Sequence, residues 1–267
     1  MRLLPSGQPV PAAVEQAVAK YLPRMSYEGT EWNPEFWARA VSPLRKGALI
    51  GQLPRIIDRS FLAEYLGDRY SQLPKTAEGL THWLGPDSQD WAVDCFLLAR
   101  IWGDAPGDPV AERLSVSAIA SFGSIDSRRN FVNILRALEE FGLSEAFRLA
   151  ESFNKRTGVP YLGPAYMTKC WYMAAEAWGA PPPLIADRHV VNFFRFTQLL
   201  DFPIAVAWRR PEIEYLSIDE YLRYNGAMYD WARRLSILPV DLEFCVFEAG
   251  KNFPIPPEDQ KFGGERG

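Results

Sequence analysis

Tyr161-Leu-Gly-Pro-Ala-Tyr-Met-Thr-Lys169, with Pro183-Leu-Ile-Ala-Asp187-Arg-His-Val190 close behind it, is the stretch that decides the fold. It reads as the end of one helix, a Gly-Pro hairpin, a second helix carrying a lysine, and an aspartate that opens a third helix. Gly163 permits a tight turn, and the helix start at Ala165 and Tyr166 offers backbone amides to a phosphate.

Working outward, the flanking segments repeat the helical pattern. Ala111–Phe122 has helical spacing, Ser124–Arg129 reads as a polar turn, and Asn130–Phe141 carries Phe131, Ile134, Leu135 and Leu138 on one face before Gly142. Ser144 reads as the cap of a helix reaching Asn154. Tyr166–Trp178, Asp187–Leu200, Ser217–Leu235 and Val240–Ala249 follow as helices, and strand signals are weak throughout. Before about residue 110 the pattern is broken by Pro, Gly and Trp, which predicts short helices and structured loops, with Asp90–Trp102 as a buried helix. The divisions expected are a helical and irregular region over 1–110, a helical domain over 111–251 and a tail over 252–267.

Composition narrows the function classes. The chain has 267 residues, 48 % of them apolar, enough for one large domain or two small ones with a real core. A net charge of −4 argues against a protein that coats DNA without specificity, yet leaves room for a local positive face. Basic pairs stand at Arg128-Arg129, Lys155-Arg156 and Arg209-Arg210, where a solvated face is the plain alternative. Cys95, Cys170 and Cys245 lie far apart, which excludes a four-cysteine zinc or iron–sulfur site within the chain; no metal or cofactor is expected. The absence of a secretion-signal pattern and of any membrane-length apolar run leads to the expectation of a cytoplasmic monomer.

The lysine and the aspartate carry the chemistry. A lysine attacks carbon only as the neutral amine, which burial, a cationic neighbour or a positive helix N-terminus favours. Lys169 lies among Met167, Cys170, Trp171 and Tyr172 near a helix start, although a surface lysine on an amphipathic helix has the same local sequence. Asp187 stands where an N-cap would, and a carboxylate pinned by amides keeps a charge that can stabilise a developing positive charge or help deprotonate a lysine. His189 fits a structural or phosphate-contacting role better than that of a base, and with only His82 and His189 a Ser-His-Asp site is hard to assemble.

The order of hairpin, lysine and aspartate resembles the helix-hairpin-helix DNA glycosylases of the 8-oxoguanine glycosylase type, in which a lysine amine attacks sugar C1′ and an aspartate assists. Ser127-Arg-Arg-Asn130-Phe131 is similar to the wedge turn of those enzymes, and Asp241-Leu-Glu-Phe-Cys-Val-Phe-Glu-Ala-Gly250-Lys251 looks like the closing helix of bacterial proteins of this fold. The resemblance covers about Val110–Lys251 and implies a mainly α, helix-hairpin-helix glycosylase-like fold. It implies Lys169 and Asp187 as catalytic residues; Arg128, Arg129, Asn130, Gly163, Ala165, Tyr166 and His189 as DNA contacts; and double-stranded DNA with a modified base as partner. Candidates for the base pocket are Phe202, Trp208, Trp231, Phe244 and Phe247, with Phe194 and Tyr229 nearby in the pattern. The chain departs from the family in placing Pro164-Ala165 where a second glycine is usual, and Lys169 about one helical turn late. Without that lysine, Asp187 and water would do the work. Two substrates stay open, a damaged purine of the 8-oxoguanine type and a hypermodified base of phage DNA in an anti-phage role. A catalytically silent helix-hairpin-helix module that binds DNA or a protein is the alternative class.

Overall fold

A computed structural model describes residues 9–25, 29–75, 77, 81–83, 85–103, 109–156, 163–199 and 217–253, and the backbone alone at 109–111 and 151–156. Twelve α-helices run through the described residues, beside one antiparallel pair of two-residue strands. In chain order these are α1 (Ala12–Tyr21), β1 (Thr30–Glu31), α2 (Pro34–Ala40), α3 (Gly47–Gln52), β2 (Ile56–Ile57), α4 (Arg59–Ser71) and α5 (Pro86–Gly103). Then come α6 (Pro109–Phe122), α7 (Ile125–Phe141), α8 (Leu143–Arg156), α9 (Pro164–Ala177), α10 (Arg188–Thr197), α11 (Ile218–Leu235) and α12 (Pro239–Gly250). The mainly helical reading holds. No helix of the described residues is long and apolar enough to cross a membrane.

The helices gather into two units, one of residues 27–183 and one of 1–26 together with 184–267. In the first, α5 is buried on every side from Trp91 to Ile101, with α4, α7 and α9 packed on it. A helix buried all round has no solvent face and becomes the axis of its unit, and its charged side chains, Asp94 and Arg100, are partnered inside. Phe96 and Phe122 stack at its centre with Phe131 edge-on to both, and Trp91 meets Tyr70, Trp83 and Trp178 at its start. Glu139 of α7 ties this aromatic cluster down, accepting from the Tyr70 hydroxyl, from Thr81 N and Oγ1 (3.2 and 3.1 Å) and from Trp83 Nε1 (2.6 Å). In the second unit α12 packs on α1, α10 and α11.

Two helix starts differ from expectation. The segment read as a polar turn is helical from Ile125 onward, so the link from α6 shrinks to Gly123-Ser124. Its first turn holds one apolar residue, Ile125, and that is exposed, so hydrophobic spacing gives no helical signal there. Ser144 lies inside α8 rather than capping it, because Gly142 adopts φ 85° and α8 begins directly at Leu143. The strand pair is an addition that the chain's weak strand signals did not announce. The expected tail lies outside the described residues beyond Phe253.

Candidate active site

Lys169 belongs to the first unit and Asp187 to the second. On the lysine side, Gly163 is the N-cap of α9 in extended conformation, and Tyr166 and Met167 return their N–H groups to its carbonyl. Pro164 occupies the first helical position and has no N–H. The amide of Ala165 is left as the helix-start donor, with no backbone acceptor among the described residues.

Lys169 follows one turn later, partly exposed, with its amine 5.4 Å from the centre of the Tyr166 ring. The same ring receives the Arg100 guanidinium at 3.7 Å. Arg100 is 1 % exposed and donates to Ser115 Oγ at 2.6 Å. Gly103 makes room for this arrangement. A Cβ there would lie 2.9 Å from Tyr166 Cε1 and 3.2 and 3.3 Å from Lys169 Cδ and Cε. Spacing of three and four residues puts Tyr166, Lys169, Tyr172 and Glu176 on one stripe of α9. Further along that stripe the Arg59 guanidinium covers Trp102 and Tyr172 at 5.5 and 5.1 Å. Burial raises the Glu176 carboxyl above its ordinary range, and the charge of Arg59 pulls the other way.

On the aspartate side, Asp187 caps α10. Its Oδ1 accepts from His189 N at 2.9 Å and Val190 N at 3.2 Å. Both bonds fall on the same oxygen. The His189 ring stands edge-on to Phe247 at 5.2 Å. Burial lowers its basicity; Arg188 and Lys251 add to that, while Asp187 and Glu248 oppose it. The His189 carbonyl lies against Gly250 of α12, where a Cβ would sit 1.9 Å from the oxygen.

Other candidate residues fall as follows. Arg128 donates to the Gly123 carbonyl at 3.0 Å and so closes the α6–α7 link, and Arg129 faces Asp126 at 3.6 Å. Both lie in the first turns of α7 with half-exposed Asn130, not in a turn ahead of it. Exposed Ile125, 71 % accessible, stands at the tip of that link and was not singled out from sequence. Trp231 is buried and stacks on buried Phe194, while Phe244, Phe247 and Tyr229 are half-buried. Phe202 and Trp208 lie outside the described residues, as do Tyr161 and Leu162 of the hairpin. No group of three His, Cys, Asp or Glu among the described residues could hold a metal ion.

Residues that sequence reasoning passed over surround the approach to Asp187. Leu184 N–H is accepted by Asn225 Oδ1 (2.7 Å) and Ile185 N–H by Glu243 Oε2 (2.9 Å). The Tyr221 and Tyr224 hydroxyls donate to the carbonyls of Leu184 (2.7 Å) and Ile185 (3.1 Å). No local pattern marks the two tyrosines, or the two polar residues, as partners of a distant segment. The first unit also has a groove of about 620 Å³, lined in part by Lys46, Tyr65, Arg69 and Asp90 and not by Lys169. Two of its cations are paired internally: Lys46 with Asp90 and Asp94 at 2.6 and 2.8 Å, and Arg69 with Asp94.

Comparison with known proteins adds one result. No curated protein and no solved structure matches the chain. A family model described as "Putative 8-oxoguanine DNA glycosylase OGG-like protein" matches residues 23–247. That span takes in α2 to α11, Lys169, Asp187 and most of α12, and by it the chain belongs to the OGG-like 8-oxoguanine DNA glycosylase family.

Proposed function

We propose that the protein is a DNA glycosylase that extrudes a modified base from duplex DNA and excises it, with Lys169 as amine nucleophile and Asp187 as assisting carboxylate. The family match carries this reading. Two local features support the roles. Lys169 stands in space that Gly103 keeps clear, and Asp187 is anchored by two amides on Oδ1.

The chemistry follows from these groups. The neutral Lys169 amine donates its lone pair to sugar C1′ as the C1′–N glycosidic bond breaks. The bonding pair leaves with the base, which takes up a proton. Asp187 stabilises the cationic sugar and can accept a proton from the amine. Opening of the sugar ring then gives an imine that borohydride reduces to a permanent crosslink. If the amine does not attack, Asp187 directs water to the same carbon and no crosslink forms. The substrate is a damaged purine of the 8-oxoguanine type or a hypermodified base of phage DNA.

The test is incubation with 8-oxoguanine duplex, unmodified duplex and DNA of a phage with modified cytosines, each with borohydride. Abasic sites with a crosslink lost in Lys169→Ala support the nucleophile, and the DNA that reacts names the substrate. Abasic sites without a crosslink move the chemistry to Asp187 and water. No abasic sites on any DNA, with binding retained, would favour a silent helix-hairpin-helix binding module. The net charge of −4 and the internal pairing of Arg128 and Arg129 are the observations on that side.

A further inference from the structure

Leu184, Ile185 and Ala186 are buried, at 0, 4 and 0 % exposure, yet belong to no helix or strand. Buried backbone usually gives its N–H and C=O groups to other backbone. Here four side chains take them. Asn225 and Glu243 accept the two N–H groups, and Tyr221 and Tyr224 donate to the two carbonyls. Asn225 also donates through Nδ2 to the Tyr221 carbonyl at 2.9 Å, which fixes the orientation of its amide. All four side chains are buried, the carboxylate of Glu243 at 2 % exposure. Burial keeps the Tyr221 phenol protonated, as a donor must be.

Their spacing shows one built surface. Tyr221, Tyr224 and Asn225 stand at i, i+3 and i+4 on α11 and share a face. Glu243 and Gly250 stand seven residues apart on α12 and share another. One end of that face holds the Ile185 amide; the other receives the His189 carbonyl. Asp187 lies between these two fixed points, two residues beyond Ile185 and two before His189. The preceding Pro181–Pro183 run has no N–H to anchor, so Leu184 is the first place where the chain can be tied by a donor.

We propose that Tyr221, Tyr224, Asn225 and Glu243 are positioning residues for base excision, clamping the Leu184–Ala186 strap so that the Asp187 carboxylate is held at a defined place. This rests on the reading of Asp187 as the assisting carboxylate. Catalysis is sensitive to such placement, since a displacement of about 1 Å can cost on the order of 100-fold in rate.

The experiment uses the full chain with Tyr224→Phe, Glu243→Met and Glu243→Gln, each alone and combined with Asp187→Asn. Tyr224→Phe removes one hydrogen bond and keeps the ring; glutamine keeps an acceptor for Ile185 and methionine does not. Three quantities are read: single-turnover excision of the duplex that the wild type cuts, affinity for that duplex, and the chemical shift of the Asp187 carboxyl carbon. Expected are rates reduced about tenfold to 100-fold in Tyr224→Phe and Glu243→Met. Affinity should stay within about twofold and Glu243→Gln should recover the rate. On top of Asp187→Asn the same changes should slow the residual reaction no further, because no carboxylate remains to misplace. Equal slowing in both backgrounds, or none in the wild type, overturns the proposal. If Glu243→Met does not fold, Tyr224→Phe decides. If the wild type excises nothing, the glycosylase reading fails, and the carboxyl shift judges the clamp alone. Movement in Tyr224→Phe but not in Gly226→Ala upholds it; an unmoved signal overturns it.

Discussion

Gly250→Ala should destabilise the protein, although glycine-to-alanine changes in helices normally do the reverse. Alanine is favoured over glycine by about 1 kcal/mol in a helix interior, and somewhat less at an end. At Gly250 the added Cβ would lie 1.9 Å from the His189 oxygen, 2.6 Å from its carbonyl carbon and 3.2 Å from its Cα. Contact at about 3.4 Å requires α10 and α12 to part by roughly 1.5 Å locally, and the obstacle is backbone that no rotamer change can move. Overpacking of this kind costs about 1–3 kcal/mol, enough to reverse the helical gain. His189 is the residue whose N–H bonds Asp187, so the same shift reaches the carboxylate. Gly226 is the control: it lies within α11, and a Cβ there meets nothing within 4 Å. Equilibrium denaturation should show Gly226→Ala unchanged or stabilised by up to about 1 kcal/mol and Gly250→Ala destabilised by at least about 1 kcal/mol. Gly250→Ala as stable as Gly226→Ala would refute the reasoning, because the two differ chiefly in the His189 carbonyl.

Gly103→Ala should lower single-turnover excision about tenfold or more with a small change in stability, since its Cβ presses on the Lys169 stem and the Tyr166 edge; an unchanged rate would remove Gly103 from the site. Asp187→Asn should keep thermal stability within about 0.5 kcal/mol, because asparagine caps as well as aspartate, while excision falls; Asp187→Ala should lose about 1 kcal/mol as well, and equal stabilities would deny the cap. Glu139→Leu should cost about 2–4 kcal/mol by denaturant titration, as it strips acceptors from Tyr70, Thr81 and Trp83 at once. His189 binds its proton less readily in the folded protein than at the ordinary value of 6.5, chiefly through burial. Its contribution to stability is therefore whole above about pH 6.5 and lost as the pH falls toward the depressed folded value; His189→Gln should flatten that part of the pH–stability curve.

The helical order was legible because amphipathic spacing and caps are local. Asp187 is the clearest instance: an aspartate just before an apolar-periodic run predicts a cap, and its oxygen accepts two amides of the first turn. Ser217 caps α11 in the same manner, with Glu220 completing a capping box. The start of α7 was not legible, because Ser124–Arg129 carries no apolar stripe and its buried side chain is a serine, Ser127. Arg128 looked available for DNA, yet it closes the turn behind it, a bond that depends on where α6 ends.

From the sequence alone came a mainly helical chain and the Asp187 cap, since these depend on neighbours three or four positions apart. Only the tertiary structure decided which polar groups are spent inside. Asn225 and Glu243 lie 41 and 58 residues from the amides they accept, and their sequence is that of any polar position on a helix. Gly250, which reads as a helix end, is a contact point with a carbonyl 61 residues earlier. Burial of a polar atom is affordable only when a partner meets it, and that meeting is a property of packed helices rather than of either segment.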